Sequence, residues 1–176
     1  MNKTIRWGMI GCGAVAEVKS GPGFYKSRDS SLVAVTSADR EMTRSFAQRH
    51  GVAKPYDTTE QLLADQDVDA VYIATPPSSH KPLSLLVANA GKHVYVEKPM
   101  AMRFDECREI VDICEKKGVR LFVAFYRRAM PRFLKVKQWL ESGAIGEVRC
   151  VRAVQHQPPA TEDLSRETLP WRLKPE

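Results

Sequence analysis

The 176-residue chain has no apolar run approaching the roughly 18–20 residues that cross a bilayer, so no membrane partner is expected. It has only four cysteines and four histidines, with no Cys-x-x-Cys pair and no Cys/His cluster at metal-ligand spacing. Zinc and other metals are therefore not expected. Cys107 and Cys114 fall seven apart on an expected helix, ~10 Å along its axis, which is too far for a disulfide. They read as small buried hydrophobes. Lys3 and Arg6 ahead of residues 7–16 imitate a short leader, but a strand feeding a glycine turn explains the same residues. With unpaired thiols, this reading places the protein in the cytoplasm. Internal repeats and low-complexity tracts are also missing.

What remains is an ordinary globular composition, 43% hydrophobic and 27% charged, long enough for one full domain and part of another. The formal net charge of +6 is uneven. Residues 1–126 carry 17 basic and 15 acidic side chains, whereas residues 127–176 carry 10 and 6. Only the stretch from Tyr126-Arg127-Arg128 to Arg132-Phe133 hints at a phosphate-backbone surface, so no nucleic-acid partner is expected.

Short apolar runs alternate with helical ones, the pattern of a doubly wound parallel sheet with helices on both faces. Strands are expected at 5–10, 32–37, 53–56, 69–75, 93–97 and 119–125. Their continuous apolar character suits burial on both sides. Helices are expected at 41–50, 59–66, 79–90, 105–117 and 130–142, with Thr58 and Gln61 spaced for a capping box. A strand-like segment follows from Glu147 to His156, then a loop at 158–163, and nothing periodic after it. The expected organisation is a doubly wound α/β domain over residues 1–125, followed over 126–176 by the beginning of a second domain.

Gly11-Cys12-Gly13-Ala14-Val15-Ala16 lies at the first strand-to-helix junction, where a helix N-terminus offers unpaired N–H groups to a pyrophosphate. Gly11 permits the turn, Gly13 admits the phosphates, and Ala16 allows close helix packing. The alternative is a tight turn without a ligand. At the end of the second strand, Ser37 takes the position of the acid that would bond a ribose 2′-hydroxyl, and Arg40 is near enough to pair with a 2′-phosphate. That favours NADP over NAD; Asp39 competes if the strand runs two residues further. Thr75-Pro76-Pro77 and Glu97-Lys98-Pro99 close strands four and five, at the ends that face the ligand crevice. From position alone, Lys98 reads equally as a general acid or base and as a surface lysine paired with Glu97. His80 reads as a ribose contact or as an ordinary helix residue.

Together these residues resemble the Gfo/Idh/MocA family of NAD(P)-dependent enzymes, the glucose–fructose oxidoreductase and inositol dehydrogenase group. The matching pieces are residues 11–16, Ala74-Thr75-Pro76 with His80, Ala90-Gly91-Lys92-His93-Val94, Glu97-Lys98-Pro99 and Ser142-Gly143-Ala144-Ile145-Gly146. The resemblance implies a Rossmann domain over residues 1–125 followed over 126–176 by the beginning of an α+β second domain, and hydride transfer between the nicotinamide and a sugar, polyol or related hydroxyl or carbonyl carbon. It implies that catalytic Lys98 lies beside the reacting carbon and that Thr75 and Pro76 flank the nicotinamide ribose. It also implies a cis Lys98–Pro99 bond and a homo-oligomer when intact. Cofactor contacts are expected from Gly11, Cys12, Gly13, Ala14, Val15, Ser37, Arg40, Thr75, Pro76, His80 and Glu97. Two departures stand out. Pro77 occupies a position where many members have Asn, and the chain stops near Trp171-Arg172, ahead of the Asp and His that complete the family's site. The rival expectation is a dinucleotide-binding module or sensor without turnover.

Overall fold

The computed structural model describes residues 4–154, 156 and 158. Contacts divide the chain after Phe125 into two compact units. The first carries a six-stranded, all-parallel sheet in the order β3-β2-β1-β4-β5-β6. The strands are β1 (Ile5–Ile10), β2 (Ser30–Thr36), β3 (Lys54–Pro55), β4 (Ala70–Ile73), β5 (His93–Val96) and β6 (Leu121–Val123). A π-helical turn, Ala16–Ser20, leads into α1 (Gly21–Lys26). The other helices are α2 (Arg40–His50), α3 (Thr59–Ala64), α4 (His80–Asn89) and α5 (Phe104–Lys117), with α6 (Pro131–Glu141) in the second unit.

The sheet is buried on both faces around β4, which is apolar and buried at every position, while β1 and β2 are buried toward their C-terminal ends. One cluster joins Ile10, Ala34, Leu62, Val71, Ile73, Val94 and Val96 to Val87 of α4 and Ile110 and Cys114 of α5. The other joins Met9, Val35, Phe46 and Tyr72 to Phe24 of α1, with the Phe24, Tyr72 and Tyr95 rings in mutual contact. Burying side chains of this size is worth ~1.5–3 kcal/mol each, which makes this two-faced core the main source of stability.

Local chemistry sets the element ends. Thr58 accepts from the N–H of Gln61 while the Gln61 amide reaches back to the Thr58 N–H, so the expected capping box is formed. β3 is shorter than expected because Pro55 offers no N–H to a ladder, a defect that an edge strand tolerates. β2 ends at Thr36, one residue short of the expected strand end.

At the end where the strands begin, Arg6 donates to both Asp69 oxygens and to Asp67, and Lys54 donates to Asp65 and Asp67. Lys92 is buried, and its ammonium donates to the carbonyls of Asp65 and Val68 at 2.8 Å each. These groups knit the α3–β4 loop to the edges of three strands.

The strand expected over Glu147–His156 is a correction. Its described residues, 147–154 and 156, form no strand. Alternating apolar residues supply a sheet face, but a strand exists only where a neighbour completes its ladder. Of the loop expected at 158–163, residues 159–163 lie outside the described residues, as does the unfinished segment at 169–176. Among the described residues, no helix is long and apolar enough to cross a membrane. None of them forms a group of three or more His, Cys, Asp or Glu able to hold a metal.

Candidate dinucleotide site

The strand order reverses between β1 and β4, so the crossovers from β1 and β4 leave in opposite directions and open a crevice beyond their C-terminal ends. The glycine turn occupies this point. Gly11 has φ +103°, and a Cβ there would lie 2.6 Å from the Ala74 carbonyl oxygen, so only glycine fits between the turn and the end of β4. Gly13 is the opposite case: nothing lies within 4 Å of a Cβ built on it, and Gly13, Ala14 and Val15 are exposed. The backbone here faces open space at a helix start, a surface that an anion can approach closely.

Cys12 turns inward. Its Sγ lies 3.9 Å from the Thr36 carbonyl, and burial pushes the thiol up to about 11. Only its backbone is offered to the crevice.

At the end of β2, the Ser37 hydroxyl donates to the Asp39 carbonyl and lies 2.8 Å from Thr43 Oγ1. The Asp39 carboxylate caps α2 by accepting from the Met42 N–H at 3.0 Å. With β2 ending at Thr36, the position after the strand belongs to Ser37, while Asp39 serves the helix. Arg40 and Arg44 both extend toward Asp57, at 3.8 and 3.6 Å, and both are largely exposed.

Thr75 follows β4, and its buried Oγ1 has no hydrogen-bond partner among the described residues. An orphaned hydroxyl beside an open backbone cradle fits a ligand with hydroxyl or phosphate groups. Pro76 is exposed next to it. Glu97 follows β5; its Oε1 accepts from the Tyr72 phenol at 2.8 Å, and its Oε2 accepts from the Lys98 N–H at 3.0 Å. Burial first, then the Glu97 charge, raises the Tyr72 phenol well above its ordinary range. Lys98 is exposed, with its Nζ 3.9 Å from Glu97 Oε2, a loose pair. The Lys98–Pro99 bond is cis.

His80 is placed differently from the expectation of a ribose contact. It is fully buried, and its ring faces two carbonyl oxygens, Thr75 O at 2.9 Å and Pro99 O at 2.7 Å. Its nitrogens are committed to the protein, so it cannot offer them to a ligand. Sequence reasoning missed Tyr72, although Tyr72 and Tyr95 in two successive apolar strands signalled an aromatic pair; they are register partners. It also missed Arg44 and Asp57, one helical turn and one loop away from Arg40.

The family model for an oxidoreductase family with an NAD-binding Rossmann fold, Gfo/Idh/MocA, matches residues 5–125. Oxidoreductase P35 of Formosa agariphila is 44% identical over 176 residues, all of this chain and 55% of that protein. Trans-1,2-dihydrobenzene-1,2-diol dehydrogenase of Mus musculus is 35% identical over 164 residues, 90% of this chain and 49% of that one. The chain thus spans about half the length of these relatives. Among solved structures, the 3-ketoreductase KijD10 of Actinomadura kijaniata, in complex with NADP, superposes with a TM-score of 0.78 at 30% identity. That match covers 84% of this chain and 47% of that one. The WlbA dehydrogenase of Bordetella pertussis, in complex with NADH and UDP-GlcNAcA, gives 0.75 at 31% identity, covering 82% and 42%. On its glycine turn, its strand order and these likenesses, the chain belongs to the Gfo/Idh/MocA family of NAD(P)-binding oxidoreductases.

Proposed function

We propose that this chain carries the cofactor half of an NAD(P)-dependent oxidoreductase acting on a hydroxyl or carbonyl carbon of a small, sugar-like substrate. The observation that carries the reading is a convergence at one sheet edge. The open turn of Gly11, Cys12, Gly13, Ala14 and Val15, the unpartnered hydroxyl of Thr75 and the exposed ammonium of Lys98 all follow C-terminal strand ends, those of β1, β4 and β5. The named activities of the ketoreductase and the dihydrodiol dehydrogenase support an alcohol–carbonyl interconversion.

When bound, the nicotinamide supplies the hydride acceptor or donor. The turn would seat the pyrophosphate on its backbone N–H groups, with Thr75 and Pro76 walling the nicotinamide end. Lys98 Nζ would give a proton to a carbonyl oxygen during reduction, or take one from a hydroxyl during oxidation. Glu97, anchored by Tyr72, holds the start of that loop and leaves Lys98 its reach. Ser37 and Arg40, in place of a strand-end acid, favour the 2′-phosphate of NADP. A cytoplasmic homo-oligomer is the corresponding proposal for the whole protein.

Parallel titration with NADPH and NADH, followed by energy transfer from tryptophan to the nicotinamide and by calorimetry, tests the reading. Saturable binding with NADPH tighter is expected. Binding of neither overturns the dinucleotide site, and tighter NADH overturns the assignment of Ser37 and Arg40.

A further inference from the structure

Three loops meet around Thr75. On one side, its N lies 3.2 Å from the place of a Gly11 Cβ, so the glycine turn rests against residues 74–75. On the other, its carbonyl meets the His80 ring, which reaches Pro99 O beyond β5. His80 opens α4, yet Ser79 before it makes no side-chain cap. The ring therefore spans from the first turn of one helix to the loops of two adjacent strands.

Both partners of this ring are carbonyl oxygens of different loops, at 2.7 and 2.9 Å, and the fully buried ring shares these contacts with no bulk water.

We propose that His80 is a positioning residue, a clasp that couples the Thr75–Pro76 wall to the Lys98–Pro99 loop. Its service to the cofactor rests on the dinucleotide reading above, while the clasp itself does not. The strand ladder ends at Ile73 and Val96, and Glu97 adds its N–H to Ile73 O and its carboxylate to Tyr72; the ring ties the two sides together farther out, between Thr75 O and Pro99 O.

The test is amide hydrogen exchange in the unaltered chain and in His80→Gln, whose one amide nitrogen replaces two ring nitrogens that face opposite loops. Exchange in residues 74–79 and 98–101 should quicken about ten-fold while β2 is unchanged. Unchanged exchange in both loops of the folded variant overturns the clasp. His80→Phe, which fills the space without a donor, should behave at least as severely, and if it does not fold the glutamine variant carries the comparison. NADPH affinity should fall about ten-fold in His80→Gln. If the unaltered chain binds neither dinucleotide, the cofactor reading fails, and the exchange measurement still decides the clasp.

Discussion

Tyr72 Oη donates to Glu97 Oε1 at 2.8 Å across the β4–β5 pair, joining the most deeply buried phenol of the sheet to the residue that precedes Lys98. Removing this O–H strips the carboxylate of a donor where water has little access. Tyr72→Phe keeps the ring contacts with Phe24 and Tyr95 and should lower stability by ~1–3 kcal/mol in urea unfolding. An unchanged midpoint would show that Glu97 is held by its other contacts alone.

Stability should fall in alkali through Cys12. Folding lifts its thiol from 9.0 to about 11, chiefly by burial, so the unfolded chain releases this proton first as pH rises. The contribution is whole below pH 9 and is lost between pH 9 and about 11. It amounts to about 2–3 kcal/mol. Unfolding measured across that window should show a steeper loss in the unaltered chain than in Cys12→Ala. Parallel curves would remove Cys12 as the cause. Tyr72 keeps part of the slope in both, because burial raises its phenol as well.

Two glycines in one turn should separate folding from binding. Gly11→Ala places a methyl on the Ala74 carbonyl at a left-handed φ and should cost ~2–4 kcal/mol or prevent folding. Gly13→Ala meets nothing, so its melting temperature should be nearly unchanged while NADPH affinity drops about ten-fold as the methyl crowds the phosphates. Full affinity in Gly13→Ala would mean that the turn does not touch the pyrophosphate.

Arg40→Ala should weaken NADPH about ten-fold and leave NADH unchanged. Because Asp57 lies between Arg40 and Arg44, Asp57→Asn should tighten NADPH by freeing both guanidiniums. Equal losses for both dinucleotides in Arg40→Ala would place that residue away from the 2′-phosphate.

The fold was legible where runs such as Ala70-Val71-Tyr72-Ile73 are apolar at every position, since a strand buried on both faces leaves no other pattern, and glycine or proline marks its end. The glycine turn, Thr75 and Lys98 were legible for the same reason: each follows a strand that punctuation delimits. His80 and Tyr72 were not. Their roles depend on which carbonyl a ring meets across two loops and on which strand lies beside which, and both are fixed only once β1, β4 and β5 are paired. Residues 147–154 have the alternation of a strand, yet no strand among the described residues pairs with them, and pairing is a condition that sequence does not display.

The charges at the two ends of the strands are arranged differently. Where the strands begin, Arg6 and Lys54 pair closely with Asp65, Asp67 and Asp69, while Lys92 donates to backbone carbonyls. At the opposite rim, Arg40, Arg44 and Lys98 stand exposed with looser partners. Cations so loosely held add an attraction for an incoming polyanion at the crevice before any contact is made. The speed of capture, more than its final strength, should then decline as ionic strength rises.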